Sequence, residues 1–116
     1  MMQAIRPSQL SDWLAQCAPV TGGRLPIVLD VREPWEVQTA SVKPQGFQLV
    51  LMPMSTVPAR LSELDRDHPI ACLCHHGGRS AQVTYFLQNQ GYSRVVNIHG
   101  GIHAWAQEVD PSVPQY

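Results

Sequence analysis

Strand-like and helical segments alternate along the 116 residues, and this predicts an α/β domain built around a parallel sheet. Two observations carry the expectation. The stretches 27–31 and 70–74 are near-continuous apolar runs, as in strands covered on both faces. Elsewhere, apolar residues recur at helical spacing. In order, Ala4-Ile5 reads as a short first strand. Ser8 offers an N-cap to a helix whose Leu10, Trp13, Leu14 and Cys17 share one face. Pro26 leads into the second strand at 27–31, and Pro34 suits the first turn of a short helix through Trp35 and Val37. The third strand spans 47–52 and stops at Pro53; Val57, Leu61 and Leu64 then share a helical face with Pro58 in the first turn. A fourth strand at 70–74 precedes a helix starting at Ser80, with Val83, Phe86 and Leu87 inward and Gly91 as its stop. The fifth strand, Val95–Ile98, runs into Gly100-Gly101 and a short helix carrying Trp105; the tail 109–116, with Pro111 and Pro114, is expected to be extended.

Length and composition suit one domain, 1–116, with its core at about 3–108. A formal net charge of −1 gives no footprint for nucleic acid or an anionic membrane. No apolar stretch reaches the roughly 18 residues of a membrane span, and the N-terminal residues lack the apolar run of a signal peptide. The expected compartment is therefore the cytoplasm. Three cysteines, an odd and low number, argue against a disulfide framework.

The run Cys74-His75-His76-Gly77-Gly78-Arg79-Ser80 concentrates the chemistry. A cysteine at the end of a parallel strand, then a glycine-containing turn into a helix, sits where open α/β sheets bind ligands. Loop N–H groups and the helix dipole make an anion cradle there, which favours the thiolate. A structural cysteine needs none of these neighbours. Cys17, on an apolar helix face, and Cys72, in mid-strand, fit that structural role.

The loop resembles the active-site loop of rhodanese domains, which are sulfurtransferases. Three further segments resemble the same family in the same order: Leu29-Asp30-Val31-Arg32-Glu33 with Trp35-Glu36, Met52-Pro53, and Val96-Asn97-Ile98 with Gly100-Gly101-Ile102 and Trp105. The family's Gly-His-Ile-Pro-Gly-Ala-like segment is replaced by Ala40-Ser41-Val42-Lys43-Pro44-Gln45-Gly46, without the histidine. The resemblance implies a three-layer α/β/α fold with a central, mostly parallel five-stranded sheet and no cofactor. It implies sulfane-sulfur transfer through a persulfide on Cys74, from a small sulfur-containing anion such as thiosulfate to cyanide or a thiol, with a protein as a further acceptor class. Asp30 and Arg32 match family residues that brace the loop.

In this reading, the N–H groups from His75 to Ser80 stabilise the anion, Gly77 and Gly78 adopt positive φ so that those groups converge, and Arg79 helps hold the donor. The rings of His75 and His76 either meet the donor or point to solvent. Trp35 and Trp105 are assigned to packing, and Asn97 to a local backbone group. Three alternatives stand beside this one. Tyrosine and dual-specificity phosphatases place five residues between cysteine and arginine; here there are four, a smaller cradle. A metal site could draw on Cys72, Cys74, His75 and His76, with His68, His99 and His103 elsewhere, but that requires Cys72 to leave the strand core, and no metal is expected. Rhodanese-like domains also serve as non-enzymatic sulfur carriers or interaction modules, often with the cysteine replaced.

Overall fold

The computed structural model describes residues 3–17 and 21–116; residues 1–2 and 18–20 of the expected domain lie outside the described residues. The elements are β1 (Ala4–Ile5), α1 (Leu10–Cys17), β2 (Ile27–Asp30), α2 (Pro34–Thr39), β3 (Gln48–Leu51), β4 (Ile70–Leu73), α3 (Gly78–Asn89), β5 (Val95–Ile98) and α4 (Gly101–Glu108). The strands form one five-stranded sheet in the order β1-β5-β4-β2-β3. Every pairing in it is parallel.

Side-chain alternation along each strand divides the core in two. Val28, Ala71, Leu73, Val96 and Ile98 face one side, where Leu10 of α1 and Trp105 of α4 cover them. Ile27, Leu29, Ile70, Cys72, Cys74 and Val95 face the other, under Val83 and Leu87 of α3. Helices on both faces complete the expected three layers. After β2 the chain steps outward to β3; after β4 it steps the other way, to β5. The gap between β4 and β2 is thus the switch point of the sheet, and Cys74 lies just beyond the carboxyl end of β4.

Two local expectations are corrected. Residues 54–64 form no α-helix, only 3-10 turns at Met54–Thr56 and Leu61–Glu63. The Tyr92 hydroxyl makes hydrogen bonds to the carbonyls of Leu61 (3.0 Å) and Leu64 (2.7 Å), holding the segment in its irregular course. The tail is not simply extended. Ser112 N–H donates to Asp110 Oδ1 at 3.0 Å and Val113 N–H to Asp110 O at 3.1 Å. That turn buries Val113 in the core and brings Tyr116 back to the sheet's carboxyl end.

Candidate active site

Cys74 is 1% exposed, and its side chain points to the α3 face of the sheet because it continues the alternation of Ile70 and Cys72. The chain then has three residues in which to turn into α3. It does so at Gly77, whose φ of 108° is open to glycine. A Cβ at Gly77 would also come within 3.0 Å of Gly100 N. Gly78 differs from the expectation. It does not have positive φ; it is the first residue of α3, and a Cβ there would meet nothing within 4 Å.

The turn aims Gly77 N–H at Cys74 Sγ, 3.0 Å away. Ser80, one turn along, brings Oγ to 3.3 Å from the same sulfur and donates to Asn97 Oδ1 at 2.5 Å. Asn97 is on β5, facing α3, and its Nδ2 donates to Gly77 O at 3.2 Å. The backbone group it satisfies is thus not the local one expected but lies twenty positions away on the loop, and Asn97 fixes Ser80 besides. The Ser80 hydroxyl has one proton. While that proton goes to Asn97, its lone pairs face Sγ and can accept from the thiol; turned towards Sγ, it supports a thiolate. Ala81 N–H is bonded to Gly77 O at 3.1 Å, so the N–H groups of Gly78, Arg79 and Ser80 have no acceptor within the helix. This helix end favours negative charge beside the sulfur.

The loop is clamped from the other side by α4. Ile102 N–H donates to Cys74 O at 2.8 Å and His103 N–H to His75 O at 3.1 Å. Gly101 permits that approach: a Cβ there would lie 2.5 Å from Cys74 O and 2.4 Å from His75 O.

Arg79 does not lie free beside the sulfur. Its guanidinium makes a fork with Glu36 at 2.6 and 2.8 Å. Glu36 is the third residue of α2, is 3% exposed, and also accepts from the Tyr116 hydroxyl (2.7 Å) and from Glu33 N–H (3.1 Å). Arg79 chiefly, helped by Tyr116 and Glu33, holds the Glu36 carboxyl down to about 2 against burial. The same pairing raises the Arg79 guanidinium.

Asp30 and Arg32 lie one strand over, on the opposite face. Their side chains are fully buried and paired at 2.7 Å. Arg32 also donates to Ala40 O (2.8 Å) and to the Tyr116 hydroxyl (2.9 Å). Hydrogen bonds link Asp30 to Arg32, Arg32 to Glu36 both through Tyr116 and directly at Glu36 O (3.3 Å), and Glu36 to Arg79. Arg32 thereby ties β2, the end of α2 and the tail together.

The histidines are stacked. His75 lies against the Tyr116 ring (3.8 Å between centroids, 7° between planes) on one side and against His76 (3.9 Å, 29°) on the other. Burial and the neighbouring His76 lower the His75 pKa, and its Nε2 is buried with no hydrogen-bond partner. His76 is exposed and leans on His103 at 5.1 Å. Trp105 packs in the core edge-on to Phe47, as expected. Trp35 is instead 62% exposed and meets the edge of Tyr116 at 6.1 Å. Cys17 and Cys72 are buried, and burial pushes the Cys72 thiol up to about 12. Among the described residues, no group of three or more His, Cys, Asp or Glu is disposed to hold a metal, and no helix is long and apolar enough to cross a membrane.

Glu36 and Tyr116 were not among the expected site residues. Glu36 stood in the segment next to Trp35, and its acidic side chain was a findable partner for Arg79. Tyr116 gave no local signal at all.

Residues 6–108 match a protein family described as a rhodanese-like domain. The chain is similar to a sulfurtransferase of Allochromatium vinosum, with 36% identity over 97% of this chain and 96% of that protein. It is also similar to the rhodanese-like/PpiC domain-containing protein 12 of Arabidopsis thaliana, a chloroplastic protein, with 44% identity over 77% of this chain; the match spans 30% of that longer protein. Among solved structures, a rhodanese-like domain protein from Staphylococcus aureus superposes with a TM-score of 0.74 at 26% identity, covering 99% of both chains.

Proposed function

The chain belongs to the rhodanese-like sulfurtransferase family, and from that premise we propose that it moves a sulfane sulfur through a persulfide on Cys74. The observation that carries the reading is the setting of Sγ: a buried sulfur at the end of a strand, 3.0 Å from the Gly77 N–H and 3.3 Å from the Ser80 hydroxyl, at a helix N-terminus. Those groups place hydrogen-bond donors where negative charge develops on sulfur during transfer and on the persulfide anion.

In the first half-reaction the Cys74 thiolate attacks the outer sulfur of a donor such as thiosulfate. The new S–S bond forms as the donor's S–S bond breaks, and sulfite leaves with the electron pair. In the second, cyanide or a thiolate attacks the terminal sulfur, departs as thiocyanate or a persulfide, and returns the Cys74 thiolate. No oxidant or reductant enters, and no general base is required once the thiolate is present. The acceptor thiol belongs to a small molecule or to a protein. Gly77, Ser80 and the first N–H groups of α3 stabilise the sulfur anions, Asn97 orients Ser80, and Gly78 starts the helix. Arg79 acts on the loop's position through Glu36, with Asp30 and Arg32 behind it. His75 and His76 form the rim.

Replacing Cys74 with Ser tests the reading. Transfer from thiosulfate to cyanide should vanish while the far-ultraviolet circular dichroism stays native. Retained transfer would remove Cys74 from the mechanism.

A further inference from the structure

The sulfur-transfer reading above leaves the donor open, and the charges around the loop narrow it. Arg79 is engaged by Glu36 through both terminal guanidinium nitrogens, Nη1 and Nη2. Arg32 is buried against Asp30. Arg6, which approaches the Gly100 turn, is paired with Glu108. Among the described residues, each guanidinium on the loop or on the segments that brace it has a carboxylate partner. What remains for an incoming anion is backbone N–H and the α3 terminus, about half a unit of positive charge. That suits one negative charge better than two.

The rim has rings where cations could have been. From α2 through the tail and the loop to α4, Trp35, Tyr116, His75, His76 and His103 follow one another at centroid separations of 6.1, 3.8, 3.9 and 5.1 Å. His75 and His76 are the two residues after the nucleophile, so the series runs along the edge of the cradle. Its exposed members, Trp35 and His76, leave ring surface uncovered. Such a rim binds a flat or apolar group by stacking.

We propose that the site prefers a singly charged sulfane donor carrying a planar or aromatic group, an R–SO2–S− or R–S–S− species, over the thiosulfate dianion. With a thiosulfonate, the Cys74 thiolate takes the outer sulfur and the sulfinate leaves with the electron pair. Two negative charges stand on each side of that step, against three with thiosulfate.

Three donors separate charge from ring: thiosulfate, methanethiosulfonate and benzenethiosulfonate. Each kcat/KM is divided by the same donor's rate with a free small thiol, which removes intrinsic reactivity. Methanethiosulfonate should exceed thiosulfate by about tenfold, the size of one missing charge-assisted contact. Benzenethiosulfonate should exceed methanethiosulfonate by about three- to tenfold. Glu36→Gln frees Arg79 and should narrow the charge ratio severalfold; His76→Ala should lower the ring ratio. Should Glu36→Gln fail to fold, the wild-type charge ratio is read from low to high salt. Salt should leave it nearly level, whereas a free cation at the site would make thiosulfate fall away selectively. Normalised thiosulfate equal to or above methanethiosulfonate, or a ring ratio near one, overturns the proposal. If none of the three leaves a sulfur atom on Cys74, the sulfur-transfer reading itself fails. If all do and thiosulfate leads, only the donor preference fails.

Discussion

Two adjacent glycines provide an internally controlled perturbation of the cradle. Gly77 has φ 108° and its missing Cβ would stand 3.0 Å from Gly100 N; Gly78 is helical, with open space where a Cβ would go. The same change, Gly→Ala, should therefore have opposite consequences at neighbouring positions. At Gly77 the left-handed backbone costs an alanine about 1–2 kcal/mol, and the contact with Gly100 forces the turn to move. For a 116-residue chain that corresponds to a melting temperature lower by about 4–8 °C. The shift also withdraws the N–H that lies 3.0 Å from Cys74 Sγ. A hydrogen bond to a charged group contributes about 1.5–3 kcal/mol, so the thiolate's reaction with a sulfane donor should slow by about 10- to 100-fold. At Gly78 the alanine only stiffens the first turn of α3, and should raise stability by about 0.5 kcal/mol. Thermal unfolding and single-turnover formation of the Cys74 persulfide, followed by mass spectrometry, measure both quantities. Equal losses in the two variants, or a Gly77→Ala protein that reacts at the native rate, would refute the reasoning.

Other outcomes follow from the same contacts. Glu36 has its pKa lowered from 4.5 to about 2; its stabilisation is complete above the unfolded value and is lost as pH falls through the folded one. The contribution is up to about 3 kcal/mol, and denaturant midpoints between pH 6 and pH 2.5 should fall less steeply in Glu36→Gln than in the native chain. Asn97→Ala leaves Gly77 O without its amide partner and frees the Ser80 rotor. It should cost about 1–3 kcal/mol and slow persulfide formation, as read by urea denaturation and the single-turnover assay; an unaffected rate would remove Asn97 as a positioning residue. Cys72, in mid-strand with its thiol pushed up to about 12, should resist iodoacetamide in the native protein while Cys74, at the strand end beside the loop's N–H groups, is alkylated. Peptide mapping that finds Cys72 labelled first would contradict the assignment of the two thiols.

What the sequence disclosed and what it withheld divide along chain separation. The strand ending at Cys74, the glycine turn and the helix carrying Ser80 are contiguous, so local propensity was enough to place them together. Burial of both sheet faces was legible in the apolar runs 27–31 and 70–74. Long-range partners were not. Arg79 meets Glu36 across 43 positions, and Glu36 meets Tyr116 across 80; neither pairing leaves a periodic trace. As a result, an arginine expected to greet the donor turned out to be held by a carboxylate. Gly101 reads from the sequence as a turn residue, yet its larger role is to let α4 close on the carbonyls of Cys74 and His75. The tail illustrates the same point. Its prolines suggest an extended segment, whereas Asp110 folds it so that Tyr116 stacks on His75.

The account's central claim is that Cys74 carries the sulfur in transit. Its most direct test is the mass of the native chain after brief exposure to a sulfane donor, followed by peptide mapping and then by addition of cyanide. The expected result is a gain of one sulfur atom, confined to the peptide containing Cys74, stable until cyanide removes it as thiocyanate. A chain that gains no sulfur, or gains it on Cys17 or Cys72 with Cys74 unmodified, would contradict the account.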